Sequence, residues 1–86
     1  MVSKTVTFAG GQGFQMEAAS AFSSAMANFN STVQLRYNGG TYNAKSILNL
    51  VAAYIQNGSP IEVICSGDDE EDALAAAVRL LEDAAE

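Results

Sequence analysis

The sequence predicts an α+β open-faced sandwich, a four-stranded antiparallel sheet with three helices on one face. Short runs near residues 2–8 and 33–37 alternate apolar and polar side chains, the two-residue period of half-buried strands, and a further strand-like run follows Pro60 at 61–66. Three further stretches, starting at Met16, Ser46 and Glu70, repeat apolar residues at three- and four-residue spacing, the period of amphipathic helices. Glycine, asparagine or proline separates one pattern from the next, which gives the order β-α-β-β-α-β-α.

In the first strand Val2, Lys4, Val6 and Phe8 share one side, while Ser3, Thr5 and Thr7 share the other. A lysine among apolar neighbours suits a sheet edge, where its charge reaches water. The glycine-rich stretch Gly10-Gly11-Gln12-Gly13 breaks the strand; it precedes a helix but lacks the Gly-Lys-Ser/Thr of a phosphate-binding loop, and it reads as a turn. From Met16, the residues Ala19, Phe22, Ala25, Met26 and Phe29 form the apolar stripe of the first helix, with Asn28 and Asn30 suited to its end.

Val33, Leu35 and Tyr37 alternate with polar residues as the second strand. Asn38-Gly39-Gly40 supplies the positive backbone angles of a hairpin, and Tyr42 marks a short third strand. Ser46 precedes Ile47, Leu48, Leu50, Val51, Tyr54 and Ile55, the pattern of an N-cap and a short helix that stops at Asn57-Gly58. Pro60 opens the fourth strand, Ile61 to Ser66. Gly67-Asp68-Asp69 caps a last helix from Glu70 to Ala85, with Ala73, Leu74, Ala77, Val78, Leu80 and Leu81 as its inner stripe. The acidic run 68–72 lies at the helix start, where the macrodipole favours negative charge, and matches no calcium-loop spacing.

Composition bounds the function. Eighty-six residues suit one domain, 1–86, and a chain that is 49% hydrophobic and 16% charged suits a packed globule. Net charge is −6, with Lys4, Arg36, Lys45 and Arg79 as the only cations, so a nucleic-acid backbone is repelled. The sequence holds no histidine and one cysteine, Cys65, which excludes an internal disulfide, a soft zinc site and an imidazole base. Cys65, in a strand pattern, reads as a buried structural thiol. No apolar run approaches a membrane span of ~20 residues and no signal-peptide core follows Met1, so the expected location is the cytoplasm.

The element order, and two segments at matching spacing, resemble the HPr family, the phosphocarriers of the bacterial sugar phosphotransferase system. Asn43-Ala44-Lys45-Ser46-Ile47-Leu48 is similar to the family's regulatory serine segment, and Gly67-Asp68-Asp69-Glu70-Glu71-Asp72-Ala73 to the start of its last helix. Gly13-Phe14-Gln15-Met16-Glu17-Ala18-Ala19 falls where the family has Gly-Leu-His-Thr-Arg-Pro-Ala. The resemblance implies that Gln15 stands in place of the histidine that takes phosphoryl from enzyme I and passes it to enzyme II proteins. An amide is neither nucleophilic nor basic, so the catalytic set is empty. Glu17 stands in place of the arginine that would hold phosphate, and its charge has the wrong sign.

The resemblance also implies a protein-docking surface around Phe14, Gln15, Met16, Glu17, Ser46, Ile47, Leu48 and Val51, with Phe14, Ile47 and Leu48 at least partly exposed. Partners are then proteins of the phosphotransferase system or a transcriptional regulator, with no cofactor, no metal and no enzymatic activity. A Crh-like member, which also has glutamine for the histidine, offers a second reading: a catabolite-repression corepressor switched when an HPr kinase phosphorylates Ser46. In the family's fold the first two helix N-termini lie close together, which would put Glu17 beside a phosphate on Ser46. The plain reading of Ser46 is an N-cap worth about 1 kcal/mol. A third reading is a small-molecule-binding domain that reuses the fold with Glu17 as a polar anchor.

Overall fold

The computed structural model describes residues 1–9 and 16–82. The elements follow the expected order: β1 (Val2–Thr7), α1 (Met16–Met26), β2 (Thr32–Tyr37), β3 (Gly40–Asn43), α2 (Ile47–Ala53), β4 (Pro60–Ser66) and α3 (Glu70–Glu82). The glycine turn expected at 10–13, together with Phe14 and Gln15, lies outside the described residues, as does the expected end of α3 at Ala85.

The four strands form one antiparallel sheet in the order β1-β4-β2-β3. Register sorts their side chains onto two faces. Val2 pairs with Cys65 and Cys65 with Val33; Lys4 pairs with Val63, Val63 with Leu35 and Leu35 with Tyr42; Val6 pairs with Ile61. These rows meet the helices, whereas the alternate rows, such as Thr5, Glu62, Arg36 and Thr41, face away from the core. A slip of one residue would exchange the two faces, so burial of Val33, Leu35, Ile61, Val63 and Cys65 specifies the register. Lys4 is exposed on an edge strand, as its place among apolar neighbours suggested.

Phe8, Met26, Leu35, Leu50, Ile55, Ile61 and Leu81 are the largest fully buried apolar side chains, drawn from the sheet, all three helices and the connections. The hairpin between β2 and β3 turns on Asn38 (φ 52°) and Gly39 (φ 85°) alone, and Gly40 already belongs to β3. Two consecutive positive φ angles match the right-handed twist of the flanking strands.

One helix boundary and one helix stripe differ from the sequence expectation. Helix α2 stops at Ala53 rather than near Asn57, and Tyr54 takes a left-handed conformation (φ 55°, ψ 48°) with its N–H donating to the Val51 carbonyl at 3.2 Å. The reason is tertiary. Ile55 leaves the helix to enter the core, and Phe8 donates to the Ser59 carbonyl at 2.9 Å while accepting from the Gly58 N–H at 2.8 Å. In α3, Ala73, Ala77 and Leu81 form the buried line, Leu74 and Val78 flank it, and Leu80 is largely exposed. A step of four residues keeps that line on one side; Leu80, one residue before Leu81, is rotated about 100° away.

Gly67, between β4 and α3, has φ 152°, and a Cβ there would lie 2.7 Å from the Ser31 Cα. Gly67→Ala is therefore expected to destabilise the fold by about 2 kcal/mol or more, read by chemical denaturation. A substitution at Gly39, where nothing lies within 4 Å, should cost only its backbone strain.

Candidate functional site

Helix α2 presents Ser46 through a set of short-range hydrogen bonds. Ser46 is the N-cap, with extended backbone (φ −113°, ψ 114°), and its Oγ accepts from both the N–H and the Nδ2 of Asn49, each at 3.2 Å. Asn49 in turn accepts the Asn43 N–H on Oδ1 at 3.3 Å, and Asn43 Oδ1 accepts the Lys45 N–H at 3.0 Å. Among the described residues the Ser46 hydroxyl donates to none. Asn43 and Asn49 form a frame around it that pattern reading missed; the spacing Asn43-x-Lys45-Ser46-x-x-Asn49 was the available signal.

Apolar side chains next to this cap project outward. Leu48 is 78% exposed, Ile47 and Val51 are half-buried, and Leu50 and Ala53 turn into the core. The expectation of outward-facing Ile47 and Leu48 matches these exposures. Tyr54, expected inside the helix, is 77% exposed just past its end. On α1, which packs against α2, Met16 is 58% exposed and Glu17 is exposed in the first turn.

A cation adjoins Ser46. Lys45, next in the chain, donates from Nζ to the Phe29 carbonyl at 2.7 Å, beyond the C-terminal end of α1. Glu17 sits at the opposite end of that helix, roughly 15 Å away by helical rise. The charged residue adjoining Ser46 is thus Lys45, and the first turn of α2 contains no acid. This helix start can accept negative charge on Ser46 without a carboxylate of its own turn opposing it.

A second polar centre was also misjudged by pattern. Asp69 reads as a cap for α3, but its carboxylate reaches across the chain: Oδ2 accepts the Asn30 N–H at 2.9 Å, and Oδ1 accepts the Ser31 N–H at 2.9 Å and the Ser31 hydroxyl at 2.5 Å. Bonds from Ser31 and Asn30 hold the Asp69 carboxyl below the ordinary range. Its neighbour Glu70 accepts the Gly67 N–H at 3.1 Å and pairs with the Met1 ammonium at 3.0 Å, and those contacts lower it likewise. Cys65 is fully buried, and burial, followed by the nearby Glu70 and Asp69 charges, pushes its thiol upward and makes it a poor nucleophile. Among the described residues no three acidic or cysteine side chains converge as metal ligands.

Comparison with known proteins places this geometry. The family description PTS-HPr, PTS HPr component phosphorylation site, matches residues 2–83. The HPr-like protein Crh of Halalkalibacterium halodurans is 34% identical over 82 residues, covering 95% of this chain and 98% of that protein. The phosphocarrier protein HPr of Bacillus anthracis superposes with a TM-score of 0.91 at 31% identity, over 94% of this chain and 96% of that one. The Bacillus subtilis catabolite repression protein Crh, crystallised as a domain-swapped dimer, superposes with a TM-score of 0.79 at 29% identity, over 100% and 99% of the two chains.

Asp69 and Glu70 set the acid response. Both have folded-state pKa values below those of the unfolded chain, so their contribution is complete above about pH 4–4.5 and disappears as pH falls through the lower folded values. Midpoints of urea unfolding measured from pH 7 to 2 should fall across that acid range. Asp69→Asn should start lower at pH 7 and show a shallower fall.

Proposed function

The chain belongs to the HPr family, and from that premise we propose that it is a regulatory, partner-docking protein of the cytoplasm, not an enzyme and not a carrier of phosphoryl groups. The observation that carries the reading is the exposed apolar pair Met16 and Leu48, on helices α1 and α2 that pack together, in the region the family resemblance assigns to partners. Gln15, the residue before α1, stands in the family histidine's position and lacks its nucleophilic nitrogen, and Glu17 opposes a bound phosphate. An apolar surface keeps its binding energy when the reactive group beside it is lost. The partners in this reading are proteins of the phosphotransferase system or a transcriptional regulator.

A second reading is favoured by the likeness to Crh and by the surroundings of Ser46: an HPr kinase phosphorylates Ser46 and so alters docking. Phosphorylation would replace a neutral cap with an anion at the start of α2, a position that the Asn49 N–H and the acid-free first turn support. The two readings share one surface and differ in whether a covalent switch operates it.

Intact-mass measurements separate them. Incubation with enzyme I and phosphoenolpyruvate should leave the mass unchanged, whereas the double variant Gln15→His with Glu17→Arg should gain one phosphate; a gain by the unaltered chain would overturn the docking-only account. With ATP and an HPr kinase, a single phosphate that is absent from Ser46→Ala would establish the switch, and an unchanged mass beside a phosphorylated ordinary HPr would leave docking alone. The Ser46→Ala control should itself lose about 1 kcal/mol of stability with its cap.

Docking has its own readout. Leu48→Asp or Met16→Asp should weaken binding to a responsive partner about tenfold or more while the thermal midpoint changes little, because both side chains face solvent.

A further inference from the structure

The sheet's two edges are not alike. Strand β3 lies beneath α2, on the side of Ser46 and Leu48, whereas β1 at the opposite edge lies beneath α3. Between β1 and α3 runs an open groove of about 590 Å³. Its floor is apolar, formed by the half-buried Val2, Leu74 and Val78, and Lys4 and Arg79 stand over it. The volume is within the range of small-molecule sites, about 300–1,000 Å³.

The distribution of cations singles this groove out. The chain has four lysines and arginines against ten acids. Two of the four are occupied elsewhere: Arg36 lies 3.9 Å from Glu62 on the sheet, and Lys45 is bound to the Phe29 carbonyl. The other two, Lys4 and Arg79, make no hydrogen bond or ion pair among the described residues, and both line the groove. Glu71 and Glu82 also line it, Glu82 within one turn of Arg79 on α3 and Glu71 two turns away, but among the described residues neither forms an ion pair with Lys4 or Arg79. Two cations without an ion-pair partner among the described residues therefore border an apolar floor, on a chain whose net charge is −6.

We propose that this groove binds a small amphipathic carboxylate, its head held by Lys4 and Arg79 and its hydrocarbon body laid on Val2, Leu74 and Val78. Arginine's planar fork suits a carboxylate, and lysine adds a second charge from the neighbouring strand. The apolar body gains from covering half-buried side chains that water now touches. Glu71 and Glu82 repel an anionic head placed against them, which confines it to the space between Lys4 and Arg79. The site is separate from the docking surface and does not depend on its function.

Sodium octanoate titrated into the ¹⁵N-labelled chain, followed by amide shifts, tests the proposal. Saturable shifts concentrated at Lys4, Leu74, Val78 and Arg79 are expected, weakening with added salt, with octanol and octylammonium binding far less well. Lys4→Gln and Arg79→Gln should each weaken octanoate binding about tenfold, the loss of one charge-assisted contact, while their thermal midpoints stay near that of the unaltered chain. Shifts that fail to saturate, equal binding of octanol, or shifts centred on Met16 and Leu48 instead would overturn it.

Discussion

A single carboxylate ties together the elements on which the candidate site rests. Asp69 begins α3, yet it accepts hydrogen bonds from Asn30 and Ser31, the link between α1 and β2. Ser31 is fully buried, and a buried hydroxyl and N–H without an acceptor would cost a few kcal/mol, so Asp69 stabilises this packing by accepting from both. The close fit extends to Gly67, where any side chain would strike Ser31. One joint thereby sets the exit of α1, the entry to β2 and the turn from β4 into α3. With the exit of α1 fixed, the Phe29 carbonyl is where Lys45 can reach it, and the segment bearing Ser46 is braced in turn.

Local rules made much of this legible. The alternation at Val33-Leu35 and Ile61-Val63-Cys65 needs only the two faces of a strand, and the Asn38-Gly39 turn needs only its own backbone. Ser46 followed by an apolar helix reads as a cap for the same reason, and it is one. What escaped depends on partners distant in sequence. Asp69 looks like the cap of its own helix until Ser31 is beside it. The end of α2 is set by Ile55 entering the core and by Phe8 pairing with Gly58 and Ser59, none of which marks the helix pattern itself. Lys45 adjoins Ser46 in the sequence, but its bond to the Phe29 carbonyl depends on how the end of α1 meets the start of α2, of which the local sequence carries no trace. Exposure at Ile47 and Leu48 was expected from the family resemblance, because helical spacing alone would assign either to a core, whereas the exposure of Met16 emerges only from the structure.

Recognition and reaction are separable in this architecture. The exposed apolar residues in this region lie on the outward sides of α1 and α2, whose inward sides supply Phe22, Met26 and Leu50 to the core. Substituting the exposed Met16 or Glu17 at the start of α1 changes the available chemistry without touching Ala19, Phe22 and Met26, the buried positions that keep the helix in place. The opposite edge of the sheet is separate again, since β1 and α3 build it with no contribution from α1 or α2.

Cys65 gives the fold a built-in timer. It is the only thiol in the chain, it lies in β4 between β1 and β2, and no part of it reaches solvent. A disulfide reagent can modify it only in molecules whose sheet has opened or whose core has been breached, so the labelling rate follows the population or rate of that opening. Because the native thiol is silent, a cysteine introduced at an exposed position such as Leu48 would carry a probe alone. Binding at the surface and breathing of the sheet beneath it can then be followed in one sample by two chemically identical groups that differ only in access.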